Sequence, residues 1–149
     1  VSFTFTVITK KQLGTIQRLW EKLNEDHLND SIHFKEHYKS FTFKERCRKF
    51  VTVPEDKIRI EIVQENDSCI GYCIATINDS VGEIDSIFVE SGFRKYGLGS
   101  SLVENSIQWF KTNNCMKIMV GVAAGHESVF EFYQKLNFYP RMTYLQLKE

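Results

Sequence analysis

No surplus of either charge marks this chain: nineteen lysines and arginines face nineteen aspartates and glutamates over 149 residues. A balanced chain projects no broad field, so nucleic acid and anionic membrane are not expected partners. A strongly cationic acceptor is not specially favoured either. No apolar run is long enough to cross a bilayer. The N-terminal VSFTFTVITKK alternates as a strand does and lacks the apolar core of a signal peptide. The absence of an initiator Met fits processing or trimming. Cysteine is scarce: Cys47, Cys69, Cys73 and Cys115 form no C-x-x-C pair, and no Cys/His spacing resembles a zinc site. Cys69 and Cys73 share one candidate strand as small core residues, and Cys115 reads as a loop cysteine without a role. His33 and His37 have i, i+4 spacing, but no third ligand accompanies them, so no metal is expected and they read as exposed helix residues. The expected compartment is the reducing cytosol. Repeats, linkers and low-complexity segments are missing too. What remains is 42% apolar content, enough for one compact domain spanning 1–149.

Hydrophobic periodicity sets the elements. Ser2 to Thr9 alternates Phe3, Phe5 and Val7 with polar residues, a half-buried strand. Lys10 to His27 switches to helical spacing, with Leu13, Ile16, Leu19, Trp20 and Leu23 on one face. A short helix fits His33 to Tyr38. Thr42 caps another that runs through Arg46 to Val51, with Glu45 at the capping-box position. Ile58 to Ile62 and Ile70 to Ile77 read as strands joined by the turn Glu65-Asn66-Asp67-Ser68. Glu83 to Val89 is a strand, followed by a helix whose face is Leu98, Leu102, Val103, Ile107 and Phe110. Met116 to Val122 reads as a buried strand, Glu127 to Leu136 as a last helix and Tyr144 to Leu147 as a last strand. Strand, helix, strand from Glu83 to Val122 implies a right-handed crossover between parallel neighbours. The expected fold is α/β (α+β): a mixed, mostly antiparallel sheet of about seven strands with helices on both faces.

Between strand and helix lies Arg-Lys-Tyr-Gly-Leu-Gly, Arg94 to Gly99. Glycines at a helix's first turn bare the backbone, and the helix start offers N–H groups with no internal partner. Those donors and the positive end of the helix dipole suit a phosphate-like anion, and Arg94 and Lys95 add charge for a diphosphate. A Walker A loop is excluded, because Leu98 and Gly99 follow Gly97 where Lys and Ser/Thr are needed. A dinucleotide fingerprint is excluded, because no third glycine follows Gly99.

The hexad resembles the Gln/Arg-x-x-Gly-x-Gly/Ala signature of the GNAT N-acetyltransferases. Gly125 to Pro140, GHESVFEFYQKLNFYP, is similar to their second signature, Asn-x-x-Ala-x-x-Phe-Tyr-x-x-x-Gly-Phe. His126 takes the Asn position, Val129 the Ala, Phe132-Tyr133 the Phe-Tyr and Asn137-Phe138 the Gly-Phe. Asn137 suits a left-handed residue after the helix, as glycine would. Together the two signatures cover Gly82 to Pro140, about forty per cent of the chain. The resemblance implies a splayed parallel pair of central strands into which the pantetheine arm of acetyl-CoA enters. It implies backbone groups of Ile87, Phe88 and Val89 along that arm, and Arg94, Lys95, Tyr96, Gly97, Leu98, Gly99 and Ser100 around the pyrophosphate. His126, Phe132 and Tyr133 complete the implied coenzyme site.

Acyl transfer from a thioester to an amine needs a base, because at neutral pH an alkyl amine of pKa about 10.4 is nearly all ammonium. It also needs a donor for the oxyanion and a proton for the departing thiolate. The resemblance makes Tyr133 the acid; core packing in the aromatic cluster Phe130, Phe132, Tyr133 is its other reading. Glu83 and Asp85, two residues apart on one strand face, compete as base. Glu83 stands eleven residues before Arg94, the spacing of the glutamate base in histone-acetyltransferase-type members. A water chain is the alternative, as is a solvated role for both carboxylates. The implied function is N-acetyl transfer from acetyl-CoA to a primary amine, small rather than macromolecular, by a monomer or homodimer. Its alternatives are a non-catalytic acyl-CoA sensor or partner subunit, and a plain nucleotide binder.

Overall fold

The computed structural model describes residues 1–149. Five strands form one sheet in the order β1-β2-β3-β4-β5: β1 (Phe3–Ile8), β2 (Ile58–Glu65), β3 (Ser68–Asn78), β4 (Val81–Val89) and β5 (Lys117–Val120). The first three pairings are antiparallel and β4–β5 is parallel. Tight turns join β2 to β3 and β3 to β4, and each places one residue in the left-handed region: Asn66 at φ 56° and Asp79 at φ 55°. Short polar side chains tolerate that conformation best after glycine.

Between β1 and β2 lie a 3-10 segment (Lys10–Ile16), then α1 (Gln17–Asp30), α2 (Lys35–Ser40) and α3 (Phe43–Val51). Thr42 and Glu45 close a capping box at the start of α3, with Glu45 N–H donating to Thr42 Oγ1 at 3.1 Å. Such a cap contributes about 1 kcal/mol. These helices cover one face of the sheet through Ile16, Leu19, Trp20 and Phe50, packed on Ile60, Ile62, Tyr72 and Ile74. On the other face α4 (Leu98–Thr112) buries Leu98, Leu102, Val103 and Phe110 against Ile70, Ala75, Ile77 and Ile84. Each such side chain stabilises by about 1.5–3 kcal/mol when fully buried. Gly82 admits the Phe110 ring, since a Cβ there would lie 2.4 Å from it. A final helix, α5 (Phe130–Lys135), ends at Asn137 with φ 72°, the left-handed stop expected from its sequence.

Four expectations are corrected. The sheet has five strands, not about seven, and the parallel pair lies at its edge. Residues Tyr144 to Leu147 form no strand: Tyr144, Leu145 and Leu147 are exposed and pair with nothing. Alternation defines two faces, but a strand also needs a neighbour to complete its ladder. For the same reason β5, paired on one side only, is a four-residue, half-exposed strand instead of a buried one. No helix is long and apolar enough to cross a membrane.

Candidate active site

The sheet opens where β4 and β5 part. Their ladder runs from Val81↔Lys117 to Ile84↔Val120 and stops, while β4 continues to Val89 paired with β3 only. At that point β4 carries a bulge: Ile74 of β3 pairs with Ser86, the next residue Ala75 with Ile84, and Asp85 is left over. A bulge bends its strand and sharpens the local twist. Asp85 and Ser86 consequently face the same side. Asp85 accepts from Thr76 Oγ1 and pairs with Lys49, while Ser86 meets the Tyr72 hydroxyl at 2.7 Å. Beyond the bulge Ile87 and Val89 turn toward α4, and Phe88 toward the N-terminal helices. The gap widens into a cleft of about 600 Å³, walled by β4, the start of α4, the loop after β5, α5 and helices α1 to α3.

One end of the cleft is the start of α4. Gly97 is its N-cap, at φ 72°, with no side-chain cap and no acidic residue in the first turn. This fifteen-residue helix therefore presents its N-terminal donors and dipole uncompensated. Gly97, Gly99 and Ser100 line the cleft, as does Arg94, whose Nε donates to the Val89 carbonyl at 2.7 Å while its guanidinium lies over Phe88. That anchoring leaves the outer guanidinium nitrogens for an anion. Ile87, Phe88, Val89, His126, Phe132 and Tyr133 also line the cleft. Three of the residues implied for the coenzyme do not. Leu98 is core, Tyr96 packs on Phe3 at 5.1 Å between centroids, and Lys95 lies over the Tyr96 ring.

Tyr133 is 7% exposed, and burial pushes its phenol above the ordinary range, so it holds its proton at neutral pH. Its ring packs edge-on against Phe132 and Phe138. No protein group bonds the hydroxyl, and it is not a sealed polar atom, so it opens on the cleft. The two carboxylates share a face, as their spacing requires, and share one cation. Lys49 Nζ lies 3.1 Å from Glu83 and also bonds Asp85. Burial alone would lower the Lys49 pKa, but its bonds to Asp85 and Glu83 outweigh that and raise it. Asp85 lines the cleft with a fully buried carboxylate; Glu83, about half exposed, stands outside the lining.

The opposite wall comes from α1 to α3: Trp20, Leu23, Asp26 and His27 from α1, then Tyr38, Phe41 and Arg46. His27 stands edge to face with His126, centroids 5.2 Å apart, and His126 Nδ1 lies 3.0 Å from Asp30 Oδ2. The His27 Nδ1 is sealed from solvent without a partner. Its imidazole pKa is pushed below the ordinary range by burial and then by His126, with Asp26 and Asp30 pulling the other way. Gly125, at φ 96°, admits the end of α1: a Cβ there would lie 2.3 Å from the Asp30 carbonyl. Periodicity assigns these α1 residues to a helix but carries no sign that they face a ligand. Arg46 and Ser86 were missed as well, although the polar pair Asp85-Ser86 interrupting an alternating strand is a readable mark of the bulge.

The model of the acetyltransferase (GNAT) family matches residues 16–138. A 58-residue stretch, 39% of the chain, is 33% identical to an uncharacterized N-acetyltransferase of Methanocaldococcus jannaschii and covers 26% of that protein, about a quarter of its length. Among solved structures, the aminoglycoside N-acetyltransferase AAC(6')-Iy in complex with CoA superposes with a TM-score of 0.69 at 15% identity, over 99% of this chain and 95% of that one. The ribosomal-protein-S18-alanine N-acetyltransferase from Escherichia coli gives 0.68 at 14% identity, over 95% and 80%. Likeness at these identities shows the fold.

Proposed function

From the premise that this chain belongs to the acetyltransferase (GNAT) family, we propose that it moves an acetyl group from acetyl-CoA to a primary amine by direct attack, without a covalent enzyme intermediate. The observation that carries this reading is the uncapped start of α4, where Gly97, Gly99 and Ser100 border the parted strands. A pyrophosphate there meets main-chain N–H groups and the dipole of a long helix, with Arg94 alongside. The pantetheine arm then runs along β4 past Ile84, where no β5 partner competes for the backbone.

Tyr133 gives its proton to the departing thiolate, which suits a buried phenol that bonds no protein group. The ammonium loses two protons: one reaches the sulfur by way of Tyr133, and the other leaves through a water chain. Glu83, on the rim, is the carboxylate such a chain reaches: both carboxylates pair with Lys49, but Asp85 is fully buried and also held by Thr76, while Glu83 is about half exposed. The acceptor is a small amine. The related folds act on different amines, an aminoglycoside's in one name and an alanine of a ribosomal protein in another. Fold alone does not choose between them.

A second reading, an acyl-CoA-binding sensor without turnover, is favoured by one observation: Lys49 pairs with both candidate carboxylates. Calorimetric titration with CoA, together with free-thiol release from acetyl-CoA over a panel of amines, separates the two. Transfer predicts binding and amine-dependent thiol release. Binding with no release for any amine supports the sensor, and no CoA binding overturns both.

A further inference from the structure

Two arginines line the cleft, and neither forms an ion pair. Arg94 stands at the α4 end, where the proposed pyrophosphate accounts for it. Arg46 stands on α3, against the bulge of β4. One of its nitrogens, Nη2, donates to the Asp85 carbonyl at 2.6 Å, at the bulge, and its guanidinium lies over the Phe50 ring at 5.1 Å. These two contacts fix the plane of the fork and use one of its five N–H donors. No carboxylate oxygen forms an ion pair with it, since the side chains of Glu83 and Asp85 both reach Lys49 instead. A guanidinium that lines the cleft with donors unused and no carboxylate paired to it suits an anion from outside the chain.

Resting on the acetyl-transfer reading, we infer that Arg46 holds the acceptor, and that the acceptor is a small primary amine carrying a carboxylate. The coenzyme belongs to the α4 side, so what fills the Arg46 side is the second substrate. A planar fork takes a carboxylate in bidentate fashion, which fixes both the position and the direction of the molecule behind it. With its carboxylate at Arg46, such an acceptor has its amine directed along the free edge of β4 toward Tyr133. The cleft of about 600 Å³ must also admit the coenzyme's arm, which keeps the acceptor small. Polycationic amines fit poorly. They would meet Arg46 at the bulge, and Asp26 is the only lining carboxylate that no cation pairs.

The test compares three matched amines at saturating acetyl-CoA with the full chain: an amino carboxylate, its amide, and the amine lacking the carboxyl group. The wild-type kcat/KM should favour the carboxylate by about tenfold to hundredfold, the range a charge-assisted hydrogen-bond pair provides. In Arg46→Gln that ratio should fall to about one, and Arg46→Lys, which keeps the charge but loses the fork, should retain part of it. A wild-type ratio near one, or one that survives in Arg46→Gln, overturns the inference, as does preference for an aminoalkyl phosphonate over the carboxylate. The wild-type comparison stands even if a variant fails to fold. Turnover without carboxylate preference sinks this inference alone. CoA binding with no turnover of any amine ends the transfer reading with it.

Discussion

Replacing Gly99 with valine should block coenzyme binding, with alanine at the same position as the control for stability. Gly99 lies in the first turn of α4, where an alanine is favoured over glycine by up to about 1 kcal/mol. Its new Cβ would come 3.3 Å from Cζ of Phe132, so the ring must yield by a few tenths of an ångström. The two effects oppose each other, and the alanine variant should melt within a few degrees of wild type. The signature admits alanine here, so Gly99→Ala should bind CoA nearly as wild type does, whereas the branched side chain of Gly99→Val reaches over the cleft surface where the pyrophosphate meets the helix. Losing one charge-assisted hydrogen bond costs about 1.5–3 kcal/mol, roughly tenfold to over a hundredfold in Kd. Gly97→Ala provides the contrast. Its neighbourhood is empty, but φ 72° puts an L-residue in the left-handed region, at about 1–2 kcal/mol of strain. Titration calorimetry with CoA and thermal unfolding on these variants decide the matter. A Gly99→Val protein that binds CoA as tightly as wild type refutes the idea that the anion sits on this helix.

Tyr133→Phe removes a hydroxyl that bonds no protein group, so stability and CoA affinity should hold while kcat drops by about 10²–10⁴-fold; an unchanged kcat rejects its role as acid. Arg59→Met strands the buried Glu61 carboxylate, now bonded to Arg59 at 3.0 Å and to Asn105, and should cost about 3 kcal/mol. Adding Glu61→Leu should restore most of that, and a single-variant loss under about 1 kcal/mol by urea unfolding would show that the pair is dispensable. His27 takes up its proton at lower pH in the folded chain than in the unfolded one, whose imidazole titrates near about 6.5. Its contribution is therefore complete above that value and declines as pH falls toward the folded pKa. His27→Gln should flatten this part of the stability profile; identical slopes between about pH 7 and 5 would contradict the cause given.

The α4 end of the cleft was legible because local rules govern it. Glycines at a helix start and a left-handed Asn137 act within a few residues of chain, as does the capping box of Thr42 and Glu45 at the head of α3. The wall built by α1 to α3 was not. That Arg46 reaches the Asp85 carbonyl and Lys49 the side chain of Asp85 are facts of packing across more than thirty residues, and no spacing encodes them. The face shared by Glu83 and Asp85 followed from their two-residue separation, but the lysine that occupies both did not. The C-terminal tail failed as a strand for a related reason: Tyr144 to Leu147 has the pattern of a strand, and pattern supplies no ladder partner.

The extra residue at Asp85 is not required by the hydrophobic core. Striking it from the chain would leave Glu83, Ser86 and Phe88 toward the N-terminal helices and Ile84, Ile87 and Val89 toward α4, an unbroken alternation. A shortened protein of that kind should still fold, and its straightened strand would be free to zip further along its parallel neighbour. On this account the opening through which substrates meet is maintained by a single surplus residue, at the expense of a more complete sheet.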